Sequence, residues 1–308
     1  MSAAASRTGR APVRGPGRDL PGLPARTAPA RARHRVARGD PVGLAGLPAL
    51  GWLLVVALPI YFIVGTSLRT QGSYVTDGPL RLPTAPTLDN YSRAIELGFG
   101  TYIRNTLVVT AATVVLVLLL AVPAAYAIVR GESRLVRHGF SMFLLGLAIP
   151  AQAVIVPVYL IITRLHLYDS LPAIILPTVA FALPLSIIVL TSALRDIPAE
   201  LYEAMFVDGA SPARVFLQLV VPLSTPGVVT VAIYSGLSAW NGILFPLVLT
   251  QSHRRRVLTL GLWSFQNQYG LDVPGLMAGV VLSALPVLAL YLFGRRYLLR
   301  GLAAGFGK

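Results

Sequence analysis

Long apolar runs alternate with short polar intervals over most of this chain, at residues 44–68, 103–129, 139–163, 171–194, 225–249 and 274–298. Each has the roughly 20 residues that a helix needs to cross the hydrocarbon core of a bilayer. The pattern therefore predicts an all-α, polytopic membrane bundle of six transmembrane helices in a domain spanning 44–298. Pro123, Pro150, Pro157, Pro177, Pro184, Pro246 and Pro286 fall inside the runs. Prolines would break soluble helices, but in a bundle neighbouring helices satisfy the freed carbonyls, so they read as kinks.

One polar interval stands apart. Residues 195–222, RDIPAELYEAMFVDGASPARVFLQLVVP, carry Asp196, Glu200, Glu203, Asp208 and Arg214 between two apolar runs, so this stretch belongs in water. Its local grammar is helix, tight turn, helix. Pro198 suits a first helical turn, Gly209 is the residue that takes a left-handed C-terminal conformation at least cost, and Ser211-Pro212 restarts the chain as N-cap and first helical residue. Leu201 and Met205, with Tyr202 and Phe206 beside them, recur at helical spacing and predict a greasy, partly aromatic face. Such a face fits a protein pocket; two interfacial helices lying on lipid are the plainer alternative.

Composition narrows the class. With 55% hydrophobic residues and a mean hydropathy of +0.70, the chain is too apolar for a soluble globule. It has no cysteine, and its single lysine is Lys308. Disulfides and thiolate chemistry are thus excluded, as is a Walker A loop, whose lysine must lie in mid-chain.

The net charge of +14 points to membrane topology rather than to nucleic acid, because nine arginines fall in residues 1–40 and most others flank apolar runs. Residues 1–40, poor in aromatic and β-branched side chains, are expected to be a disordered basic tail, either attracted to anionic lipid headgroups or without a role. With the amino terminus inside, the cytosolic intervals hold 18 basic residues and the external ones 8. The positive-inside rule then places both termini, the 195–222 loop and the 299–308 tail in the cytosol. Arg254, Arg255 and Arg256 run against the rule.

All acidic residues, and His34, His138, His166 and His253, lie outside the apolar runs. An ion-driven carrier usually needs a buried ionisable group, and an intramembrane hydrolase needs a nucleophile with its base or a metal cluster. No catalytic or metal-binding constellation is present in the runs, and no cofactor is expected. A pore powered by another subunit remains. Neutral polar groups do occur in the runs, and Gln152, Tyr159, Tyr234, Trp240 and Asn241 are candidates to line a solute path, with interhelical hydrogen bonding as the plainer role.

Glu203-Ala204, Asp208-Gly209-Ala210-Ser211, Phe216 and Val221-Pro222, followed by Pro226, resemble the EAA motif of ABC importer permeases. Met205 stands where that family usually has a second alanine, and Leu219 and Val221 replace the more usual Ile and Leu. Leu88-Asp89-Asn90-Tyr91, Asn105-Thr106-Leu107, Ala125-Tyr126-Ala127 with Arg130, Ile149-Pro150, Pro157-Val158-Tyr159 and Leu167-Tyr168-Asp169-Ser170 extend the likeness over about residues 50–308. They resemble the carbohydrate branch, in particular the maltose-type second permease. Trp240-Asn241-Gly242 is similar to a Trp-Asn-acid segment, with Gly242 in place of the acid. Gly301 to Lys308 resembles a glycine-rich terminus that reaches the ATPase interface, although a frayed end is the simpler expectation.

The resemblance implies a non-enzymatic transport subunit in a bacterial plasma membrane. Glu203, Ala204, Met205, Phe206, Asp208, Gly209, Ala210 and Ser211 would form a coupling helix and turn that dock on a cytosolic ATPase. Its implied partners are a homologous permease, two ATPase subunits that bind ATP and Mg, an extracytoplasmic solute-binding protein, membrane lipid and a sugar. A permease for another solute, and less directly a secondary transporter or channel, are the alternatives.

Overall fold

Hydrocarbon offers backbone N–H and C=O groups no partner, so apolar runs of this length fold as helices that bond internally. The structure, a computed structural model, describes residues 46–131, 133–267 and 270–306. The expected basic tail of residues 1–40 lies outside them, as do Gly307 and Lys308. The chain divides into two compact units after Gly51, and of the first only the opening of helix α1 is described.

The helices run in the order α1 (Gly46–Ser67), α2 (Gln71–Asp77), α3 (Asp89–Glu96), α4 (Phe99–Arg130), α5 (Arg134–Leu147), α6 (Ile155–Arg164) and α7 (Leu171–Arg195). They continue as α8 (Ala199–Val207), α9 (Pro212–Val215), α10 (Val221–Leu223), α11 (Thr225–Asn241), α12 (Leu244–Leu249), α13 (Leu258–Gly261) and α14 (Val273–Phe306). A two-residue antiparallel pair, β1 (Gln266–Asn267) with β2 (Gly270–Leu271), is the sheet among the described residues.

Helices α4, α7 and α11 pack on one another and form the centre of the bundle. Val109, Val117, Ala121 and Ala125 of α4 meet Val179, Ile187, Leu190 and Leu194 of α7 and Val231 of α11, all buried. Close approach is possible because Gly227 faces α7: a Cβ there would lie 2.8 Å from the Cβ of Ala193. Small residues at such crossings let helices gain contacts where lipid supplies no hydrophobic drive between them.

Four helices are long and apolar enough to cross a membrane: Pro48–Ser67, Phe99–Arg130, Leu171–Arg195 and Val273–Leu292. Two bent pairs, His138–Leu147 with Ala151–Arg164 at 98° and Pro212–Leu223 with Thr225–Asn241 at 71°, bring the number to six if each is one span.

Three expectations change. The 139–163 run is not one helix: α5 ends at Leu147, and Pro150 starts a short 3-10 turn over Ala151–Val154. Proline cannot donate the missing hydrogen bond and disfavours helix at the residue before it, so Ile149-Pro150 is a break rather than a kink. Likewise, the 225–249 run is interrupted where Gly242 takes an extended conformation between α11 and α12. At the carboxyl end, the α14 backbone remains helical to Phe306, through most of what reads as a tail.

Loops at one end of the bundle are held by side chains bonding to distant backbone. The Asn105 amide donates to the carbonyls of Arg254 (2.9 Å) and Arg256 (2.8 Å), and Thr106 Oγ1 accepts from the Leu258 N–H at 2.9 Å. Asn90 donates to the carbonyls of Ser67 (2.8 Å) and Arg69 (2.7 Å). Arg93 pairs with Asp272 at 2.7 Å.

Between α6 and α7, Asp169 sits at φ 58° and accepts the N–H groups of Gln251 (2.9 Å) and Ser252 (3.0 Å) on one carboxylate oxygen. Burial acts to raise its pKa, but these bonds, the Ser252 hydroxyl and the charge of Arg255 outweigh it and hold the carboxyl below the usual 3.8. A group whose pKa falls on folding stabilises above its unfolded value, and that contribution is lost as pH drops through the folded one. Asp169→Ala should therefore cost about 1–2 kcal/mol at neutral pH. A thermal-shift series should show the gap between wild type and variant closing as pH falls below 3.8.

Candidate functional site

The polar interval after α7 folds into a sharply capped corner. Pro198 lies just ahead of α8 as its N-cap, extended at ψ 138°, so helix begins at Ala199 rather than including the proline. At the other end, Gly209 has φ 75°, its N–H bonds the Phe206 carbonyl at 3.0 Å, and the Ala210 N–H bonds the Met205 carbonyl at 2.9 Å. These two bonds make a Schellman turn, which needs a residue at ease in the left-handed region. Ser211 Oγ then accepts from the Arg214 N–H at 3.3 Å and starts α9.

From α9 the helix passes through a π turn, Phe216–Val220, in which the Val221 N–H reaches back to the Phe216 carbonyl, before α10 closes the interval. An i→i+5 turn carries one extra residue, and such bulges are frequent at functional sites.

The predicted greasy face splits in two. Tyr202 is only 2% exposed and Met205 packs beside it against the bundle core, with Ala210 also buried. Leu201, Phe206 and Val207 remain 42%, 44% and 87% exposed, together with Glu203, Ala204, Asp208, Gly209 and Ser211. Tyr202 turns inward because it finds a mate at the end of α4. Its ring stacks on Tyr126 at 6.5 Å and 17°, Tyr126 meets Phe216 at 5.6 Å, and the Arg130 guanidinium lies 4.6 Å from the Tyr202 ring centre. The brace thus joins α4, α8 and the π turn.

Ring stacking contributes about 0.5–1.5 kcal/mol per pair and a cation over a ring about 0.5–1 kcal/mol. Burial pushes the Tyr202 hydroxyl above the usual tyrosine range, and Tyr126 adds to this while Arg130 opposes it. Among the described residues that hydroxyl has no hydrogen-bond partner. Tyr126 and Arg130 were visible in the sequence as a short motif at the end of an apolar run, but nothing local tied them to Tyr202.

The five solute-path candidates do not share one site. Gln152 and Tyr234 line a cavity of about 310 Å³, with Thr178, Phe181 and Ser238 among its other walls. Trp240 and Asn241 line a separate cavity of about 390 Å³ between α11, α13 and α14. Asn241 donates its amide to the Leu237 carbonyl of its own helix at 2.9 Å, and Trp240 packs beside Leu258 and Phe265. Tyr159 lines neither cavity and stands edge-on to Tyr168 at 5.7 Å. Among the described residues no group of three or more His, Cys, Asp or Glu could hold a metal ion.

Four helices long and apolar enough to cross a membrane, with two bent pairs beside them, carry one braced polar corner, the outline of a polytopic membrane protein. The chain belongs to the binding-protein-dependent transport system inner membrane component family, whose profile matches residues 118–303. It is 33% identical over 249 residues to a diacetylchitobiose uptake system permease protein of Streptomyces coelicolor, covering 80% of this chain and 82% of that one. A trehalose transport system permease protein of Mycobacterium tuberculosis is 33% identical over 255 residues, with 82% and 92% covered. The fold superposes with a TM-score of 0.70 and 23% identity on a chain of a bacterial ABC transporter that imports the acidic polysaccharide alginate, covering 83% of this chain and 95% of that chain.

Because the buried Tyr202 hydroxyl is unpartnered, Tyr202→Phe should leave the corner as firm as before or firmer. Tyr202→Ala should remove the ring from the brace at a cost of about 3–5 kcal/mol. Amide hydrogen exchange over residues 199–207 checks both, with strong acceleration expected only in the alanine variant.

Proposed function

We propose that this chain is one permease subunit of an ATP-binding-cassette importer for a sugar or oligosaccharide, with six spans and both termini in the cytosol of a bacterial plasma membrane. The basic residues 1–40 and the end of the chain from 299 would then be cytosolic extensions of the permease domain. Its partners would be a homologous permease, two cytosolic ATPase subunits that hold ATP and Mg, and an extracytoplasmic binding protein. The diacetylchitobiose and trehalose permeases support the solute class, and the arginine distribution supports the orientation.

The observation that carries the reading is the corner itself. Phe206 and Val207 are exposed beside Glu203, Ala204 and Asp208, on a turn fixed by Gly209 and Ser211 and fastened through Tyr202 to α4. An apolar patch in water held so firmly fits a protein pocket better than solvent. Closure of the ATPases on ATP would push the corner, and the brace would pass the push to α4 and α7, rocking the bundle between inward-open and outward-open states as a rigid body.

Ala204 is exposed, so Ala204→Glu should fold and insert normally while placing a charge in the docking face. Uptake is expected to fall at least tenfold, with ATP hydrolysis by the assembled complex no longer coupled to solute. Full uptake at wild-type abundance would falsify the docking role. Gly209→Pro, which cannot adopt φ 75°, should give the same uncoupling with some loss of stability.

A further inference from the structure

Two helix breaks meet at one cavity. The α5–α6 break contributes Gln152, and the α11–α12 break contributes Gly242; Thr178 and Phe181 of α7 and Tyr234 and Ser238 of α11 line it too, among apolar side chains. Non-helical backbone within an apolar bundle is tolerated only where protein or a water-filled cavity satisfies it. Here the Thr259 hydroxyl caps the Gly242 carbonyl at 2.9 Å, so the interrupted backbone is supported from outside the cavity while the cavity stays open.

The wall is chemically specific. Among the described residues no charged side chain lines it, so a charged solute would lie there without a counter-ion, which is costly in a low-dielectric site. Among the described residues the side chains of Gln152, Tyr234 and Ser238 have no hydrogen-bond partner, and all three residues are exposed, so their side-chain donors and acceptors are free. Phe181 and Phe245, tilted at 5.6 Å, add aromatic surface. At about 310 Å³ the space lies at the small end of the range for ligand pockets. We infer that this cavity, formed where the two broken helices meet, binds a neutral polyhydroxylated solute through Gln152, Tyr234 and Ser238 during its passage, and that the other cavity, where Asn241, Thr259 and Ser283 already donate to the carbonyls of Leu237, Gly242 and Gly279, does not. The inference rests on the sugar-importer reading and deepens it by assigning a contact site to this subunit.

The natural chain has no cysteine, so single substitutions report without background from it. Gln152→Cys, Ser238→Cys and, as a control in the other cavity, Ser283→Cys are each placed in the complete transporter and treated in membranes with a water-soluble methanethiosulfonate reagent. Trehalose, diacetylchitobiose and L-methionine serve as probes, and uptake of each is measured in parallel. The expected result is that a transported sugar, at ten times its half-saturating concentration, slows labelling at positions 152 and 238 by about tenfold and leaves 283 unchanged.

Uptake of a sugar without protection at either position overturns the site while leaving the importer reading intact. Protection by methionine instead overturns the ligand class. Absence of both uptake and protection for the two sugars removes the sugar reading together with the site, and equal protection at 283 overturns the distinction between the cavities.

Discussion

Lipid cannot hydrogen-bond to a peptide group, and the arrangement of this molecule follows from where it leaves helix in spite of that. Irregular backbone occurs at the cytosol-facing corner of the proposed topology, at the opposite loop end, and at two internal breaks. At the loop end, Asn105, Thr106, Asn90 and Asp169 reach backbone groups far away in sequence and close them off. At the internal breaks, the backbone borders a cavity. At the corner, the Schellman turn and the Ser211 cap satisfy the chain locally.

These solutions give the bundle different mechanical characters at its two ends. Single polar side chains hold the loop end, each spanning two or more segments. The corner is held by rings: Tyr202 stacks on Tyr126, Tyr126 meets Phe216 at a tilt, and Arg130 lies over the Tyr202 ring. Stacked rings resist compression without requiring a fixed donor and acceptor, which suits a contact that must transmit force while tilting. The helix that receives the force, α4, also packs on α7 and α11 at the bundle centre, so motion at the corner reaches all three.

Local signals carried the corner well. Gly209 was legible because a left-handed residue after a helix is nearly always glycine, and Ser211-Pro212 because capping depends on neighbours in sequence. The apolar runs gave the long helices. What could not be read depends on pairs far apart: the inward turn of Tyr202 requires the end of α4, and the Asp169 clasp requires the loop after α12. Period alone placed Tyr202 and Phe206 on one face, whereas a helix as short as α8 has its faces chosen by what it lies against. Trp240 and Asn241 were grouped with Gln152 and Tyr234 as neutral polar side chains within apolar runs, but they open on a different space. The interruption at Gly242 was concealed because the apolar run continues beyond it, from Ile243 to Leu249.

The π turn at Phe216–Val220 has a consequence for how such a chain can change over time. A single added residue in a helix rotates everything after it by about 100°, so this one surplus position sets the phase between the corner and α11, with its walls on two cavities. Lineages that lose it would have to re-aim an entire span or reshape the lever. Insertions and deletions here should thus be purged far more strictly than the permissive look of five apolar and amide side chains implies.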